Sequence, residues 1–123
     1  MRKIMAVAVA LLFFIGCAND NTIRIENVAA GGLIVNFRAS TYTVPGGNGV
    51  IEIKEIPNGS YMYDVTYELP SGFTQGALPA GGTLIFQKKS TKWLMLYSST
   101  QLNGVYNVYL NKTSSDGGTV TGP

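Results

Sequence analysis

The sequence predicts an all-β protein: a single antiparallel β-sandwich of about seven or eight strands, with a small β-barrel as the alternative. Three observations predict it. Apolar and polar residues alternate with a period of two through most of the chain, and Gly, Pro and Asn clusters break that alternation at the roughly eight-to-twelve-residue spacing of sandwich strands. Beyond the N-terminal segment, no window sustains the i, i+3, i+4, i+7 apolar spacing of a helix.

The elements follow in order. Thr22 to Val28 sets Ile23 and Ile25 against Arg24 and Glu26, which is a half-buried strand. Leu33, Val35 and Phe37 continue the pattern, and Tyr42 with Val44 forms a short strand. Pro45-Gly46-Gly47-Asn48-Gly49 is a turn cluster, and Val50 to Ile56 alternates again. Pro57-Asn58-Gly59 is a tight turn, because Asn and Gly tolerate positive φ. The clearest strand comes next, with Tyr61, Tyr63, Val65, Tyr67 and Leu69 on one face and Met62, Asp64, Thr66 and Glu68 on the other. Pro70 to Gly82 reads as loop. Three further strands are expected at Thr83 to Gln87, Lys92 to Ser98 and Gly104 to Leu110. The domain is thus expected over residues 22–110, followed by a flexible Gly/Ser/Thr-rich tail over 111–123.

Met1-Arg2-Lys3 is a short cationic start, and Ile4 to Ile15 (IMAVAVALLFFI) is uncharged and mostly apolar. Twelve helical residues would span about 18 Å, well short of a hydrocarbon core of roughly 30 Å. Residues 1–16 therefore read as a removable signal peptide and not as a membrane span. Phe14-Ile15-Gly16-Cys17 resembles the lipobox of bacterial lipoproteins, with Phe14 where Leu is usual. The resemblance implies cleavage after Gly16, a lipid on Cys17, a tether over residues 17–21 and a body held on the cell envelope. In a Gram-negative host, Ala18 after the cysteine would favour the outer membrane.

Ordinary secretion with a cut after Ala18 is the competing reading. The chain has a single cysteine, so no disulfide partner accounts for Cys17. Acyl chains contribute about 0.8 kcal/mol per buried CH₂, and two or more hold a protein stably without a spanning helix. The run Ile56-Pro57-Asn58-Gly59-Ser60-Tyr61 is similar to the turn-into-strand of immunoglobulin-like and transthyretin-like modules, which implies a fold and no function.

Composition excludes several chemistries. Removing residues 1–16 takes Arg2 and Lys3 from the nine basic residues and leaves seven against seven acidic ones, so nothing favours nucleic acid. There is no histidine, which removes Ser-His-Asp and Cys-His arrangements, and neither S-x-x-K nor G-x-S-x-G occurs. Asp64 and Glu68 share a strand face but lie about 13 Å apart along it, too far for a glycosidase pair. The glycines at Gly46 to Gly49 and Gly81 to Gly82 lack the Lys-Ser/Thr and helix of a phosphate loop. No catalytic residue, metal site or cofactor is assigned, apart from the covalent lipid on Cys17.

Three features bear on contacts. Lys88, Lys89 and Lys92 border a turn, where an anionic headgroup or glycan could bind, although a solvated turn is the simpler reading. Trp93-Leu94-Met95-Leu96-Tyr97 is apolar on both faces, so some second surface should cover Trp93, Leu94 and Leu96. Tyr61, Tyr63 and Tyr67 form a stripe that would dock a sugar or protein if exposed and would join the core if not. The expectation is a non-catalytic, lipid-anchored binding or accessory subunit of an envelope assembly. The alternatives are a glycan-binding module and a surface or fibre subunit, and the oligomeric state is left open.

Overall fold

The structure is a computed structural model that describes residues 20–88, 90–115 and 119–121. Among them run β1 (Asn21–Asn27), β2 (Leu33–Phe37), β3 (Ser40–Val44), β4 (Gly49–Ile56), β5 (Gly59–Tyr67), β6 (Thr74–Gln75), β7 (Gly82–Phe86), β8 (Lys92–Leu102), β9 (Val105–Ser114) and β10 (Thr119–Thr121). They form two sheets that pack as a sandwich or half-barrel. The first runs β10-β9-β8-β1-β4 with β6 also on β9, and the second runs β3-β2-β5-β7.

Period-two alternation builds the core as the sequence indicates. Ile23 and Ile25 from β1, Leu33, Val35 and Phe37 from β2, and Leu84 and Phe86 from β7 are buried between the sheets. Met95 and Tyr97 from β8 join Tyr106, Val108 and Leu110 from β9. Each fully buried aliphatic or aromatic side chain contributes about 1.5–3 kcal/mol, which is what holds two sheets of short strands together.

Pairing is mostly antiparallel, with two parallel contacts that the alternation does not encode. β1 lies antiparallel to β4 but parallel to β8, with Ile23 opposite Trp93 and Ile25 opposite Met95. β6 runs parallel to β9. Periodicity specifies which face of a strand is buried and says nothing about its neighbour; β8 meets β1 in parallel because the chain has crossed between the sheets in the meantime.

Two boundaries differ from expectation. The tail expected from Asn111 is strand as far as Ser114, with Lys112 and Ser114 facing inward. Ser115 N–H donates to Lys92 O at 2.9 Å, Lys92 N–H donates to Ser115 Oγ at 2.8 Å, and β10 pairs with Asn111 to Thr113. Polar composition suggested fraying, whereas a neighbouring ladder orders the segment. The expected loop from Pro70 to Gly82 holds β6 and straps the edge of β9: Gly76 N–H donates to Tyr106 O and Val108 N–H to Ala77 O, each at 2.8 Å. Phe73 and Leu78 anchor that strap on the core.

Two buried asparagines secure the ends of β1. The Asn21 amide donates to Ile56 O at 2.7 Å and Asn58 Oδ1 at 2.8 Å, and its Oδ1 accepts from Thr91 N–H at 2.8 Å. Asn27 does the same at the other end, where the chain crosses to β2. Beside that crossing, a Cβ on Gly31 would stand 2.0 Å from Glu68 O, so only glycine lets the backbones meet.

Lys112 breaks the pattern of the core. Its side chain is 3% exposed and its ammonium lies 5.2 Å from the centre of the Tyr63 ring. Burial pushes its pKa down. Because no carboxylate is paired with it among the described residues, Lys112→Met should stabilise the fold by about 1–2 kcal/mol. Urea unfolding at neutral pH checks this, and a loss of stability would mean that the contact with Tyr63 outweighs the desolvation cost.

Candidate functional site

β8 separates the apolar run Trp93 to Tyr97 into two sets. Trp93, Met95 and Tyr97 turn inward, while Leu94 and Leu96 stand half-exposed on the outer face of the first sheet. Trp93 packs against the core, and its indole N–H donates to Ile85 O at 2.9 Å, bridging to the edge strand of the second sheet. It is an internal latch.

The tyrosine stripe also belongs to the interior, which corrects its candidacy as a contact surface. Tyr63 is buried; Tyr61 and Tyr67 are half-buried and pack on the core. Tyr61 Oη donates to Pro57 O at 2.8 Å, and its ring contacts Phe37 and Phe86 at 5.5 and 5.8 Å beneath the Arg38 guanidinium. Tyr67 Oη donates to Pro79 O at 2.6 Å. Alternation alone could not assign this face, since tyrosine suits either side of a strand.

Leu94 and Leu96 lie beside a trough that the sequence did not single out. Leu94 is level with Arg24 on β1 and Thr113 on β9, and Leu96 with Glu26 and Asn111. The trough holds about 500 Å³ and is lined by Asp20, Thr22, Arg24, Glu26, Glu52, Lys54, Lys92, Trp93 and Leu94. Arg24 donates through Nε to Glu26 Oε2 at 2.6 Å and through Nη1 to Glu52 Oε2 at 3.2 Å. Those hydrogen bonds, first to Glu26 and then to Glu52, raise its pKa further. Lys54 Nζ completes the row, 3.7 Å from Glu52 Oε1.

The signal for this row was present as Arg24 and Glu26 alternating on one strand and Glu52 and Lys54 on another. What was missing was the register that sets Arg24 opposite Glu52. Exposed Val28, Val50 and Tyr109 continue the same face. The result is an apolar centre, Leu94 and Leu96, beside a rim whose charges satisfy one another. Such a surface can hold a partner by apolar contact and carries no strong field of either sign.

The remaining candidates are placed as follows. Gly16 and Cys17 lie outside the described residues, as does Lys89. Lys88 is exposed, and Lys92 stands on the trough, as does Asp20, where the described chain begins. Asp64 accepts from Asn36 Nδ2 at 2.7 Å and does not pair with Glu68. Among the described residues, no group of three or more His, Cys, Asp or Glu is arranged to hold a metal ion. No protein-family model matches the chain, and no curated protein sequence matches it significantly.

Proposed function

We propose that this chain is a non-catalytic, lipid-anchored protein of the bacterial cell envelope that serves as a binding or accessory subunit, meeting a protein partner through the outer face of its first sheet. The observation that carries the reading is the pair Leu94 and Leu96, half-exposed in the middle of a sheet face beside an ion-paired row, with exposed Val28, Val50 and Tyr109 extending the apolar area. An apolar centre with a polar rim is the anatomy of a protein contact. The anchor is the thioether proposed at Cys17, which would hold that face near a membrane. Tyr61, Tyr63 and Tyr67 point into the core, so the glycan-binding alternative loses the aromatic platform on which it depended.

The test is to solubilise the native membranes gently and identify what co-purifies with the chain. Leu94→Lys and Leu96→Lys should each release the partner while shifting unfolding by no more than about 0.5 kcal/mol, as befits surface substitutions. Retention of the partner by both variants would reject this face. Mass spectrometry of the native chain should find Cys17 as an acylated first residue, and a free thiol or a start after residue 18 would reject the anchor.

A further inference from the structure

We propose that the chain self-associates through β3, the edge of the second sheet, by adding the β3 of a second copy across a two-fold axis at Tyr42. This goes beyond the partner-binding reading and concerns a different surface.

Among the described residues the sheets end on β4, on β6 with β10, on β7 and on β3, and β3 is the least obstructed of these edges. β4 carries Glu52, Lys54 and Glu55; Glu55 has a φ of 57°, and the ladder to β1 shifts register there. Charge and a bulge are standard protection against strand addition. β9 is covered by β6 and β10, which offer a further strand only two and three residues of ladder. On β7, the Trp93 indole occupies Ile85 O. β3 has none of these. It reads Ser-Thr-Tyr-Thr-Val, pairs among the described residues only with β2, and carries no charge, proline, glycine or bulge.

The hairpin decides which backbone groups face outward. β2 and β3 are joined by the two-residue turn Arg38-Ala39, both at positive φ (52° and 63°), with Phe37 opposite Ser40. A turn of this kind closes on a hydrogen-bonded pair, after which bonded and non-bonded pairs alternate. Phe37–Ser40, Val35–Tyr42 and Leu33–Val44 are therefore the bonded pairs. Thr41 and Thr43 consequently direct their N–H and C=O groups away from β2, and no other backbone bond takes them up among the described residues.

Those two residues are spaced to meet themselves. With the axis at Tyr42, Thr41 of one copy faces the partner's Thr43, and the reverse, so that each outward donor finds an outward acceptor. Cross-strand threonine pairs are favourable on a sheet face. Tyr42, half-buried at the sandwich seam, faces its own counterpart in the wider gap between bonded rungs. Ser40 faces the partner's Val44, and the two copies of Arg38 lie at opposite ends, so no like charges meet.

A five-residue strand buries less than the roughly 1,200–2,000 Å² of a tight complex, so the association is weak and concentration-dependent. In the wild-type chain, amide exchange at Thr41 and Thr43 should slow roughly tenfold between about 0.02 and 1 mM, with Thr66 and Thr83 unchanged. Thr43→Pro removes an outward N–H without touching the β2 ladder, and it should keep the monomer fold while abolishing that protection. In a Cys17→Ser chain, Tyr42→Cys should form a disulfide between copies at least tenfold faster than Thr66→Cys. This follows because facing non-bonded positions satisfy disulfide geometry. Unchanged exchange at Thr41 and Thr43, protection that survives Thr43→Pro, or a dimer lost on Leu94→Lys instead would each overturn the proposal.

Discussion

Asn27→Ala is expected to cost about 3–4 kcal/mol of folding stability, a large share of the 5–15 kcal/mol typical of a domain. The Asn27 side chain is fully buried, and its amide donates to Gly31 O at 3.0 Å and to Val44 O and Pro45 O at 3.2 Å each. Its Oδ1 accepts from Ala29 N–H at 3.0 Å. One side chain thus satisfies backbone groups of two crossings between the sheets, at Ala29 to Gly31 and at Val44 to Pro45. Alanine would leave them buried or force water in, and each orphaned group costs about 1–3 kcal/mol. Urea unfolding followed by circular dichroism measures the loss. A change below about 1 kcal/mol would show that these crossings can find other partners.

The second large effect is alkaline unfolding. Burial pushes the Tyr63 hydroxyl up to about 12. Tyr67 and Tyr97 are raised further, chiefly by burial and secondarily by neighbouring tyrosines. Among the described residues the Tyr63 and Tyr97 hydroxyls are buried without a hydrogen-bond partner, so no hydrogen bond stabilises a phenolate there. An unfolded tyrosine ionises near 10, so between pH 10 and 12 the native state holds more protons than the unfolded state. The stability associated with these groups is complete below pH 10 and is lost as pH rises through the folded values. Tyr63 alone would lose about 2–3 kcal/mol by pH 12.

Lys112 acts in the opposite sense, because its lowered pKa relieves a cost as pH approaches the free value of 10.5. Three tyrosines outweigh one lysine, so a slight gain on approaching pH 10 gives way to a steep loss. Phenolate absorbance should show Tyr63, Tyr67 and Tyr97 ionising only with loss of structure. Ionisation of these three near pH 10 with the fold intact would contradict the buried cluster.

The legible and illegible parts of the fold differ for identifiable reasons. Ile23 and Ile25 against Arg24 and Glu26 could be read because a half-buried strand must alternate. The β8–β9 hairpin was legible in principle, since its turn is Asn103-Gly104, the pair best suited to positive φ at both positions (56° and 75°). The β2–β3 turn was not, because Arg38-Ala39 adopts the same conformation without the residues that favour it. β6 and β10 owe their order to β9 more than to their own composition. The candidate site was half legible: Leu94 and Leu96 stood out as apolar on an outer face, but the charged row beside them depends on register.

By itself the sequence determined an all-β body, which residues of a strand share a face, and the absence of histidine chemistry, because these depend on composition and on side-chain period along a single strand. Tertiary structure alone decided that β1 runs parallel to β8, that the tyrosine stripe and Trp93 face the core, and that Lys112 is buried against the Tyr63 ring. It also decided which sheet edges are obstructed. Each of those turns on which strand lies beside which, and that is set by the packing of the whole chain and not by any local pattern.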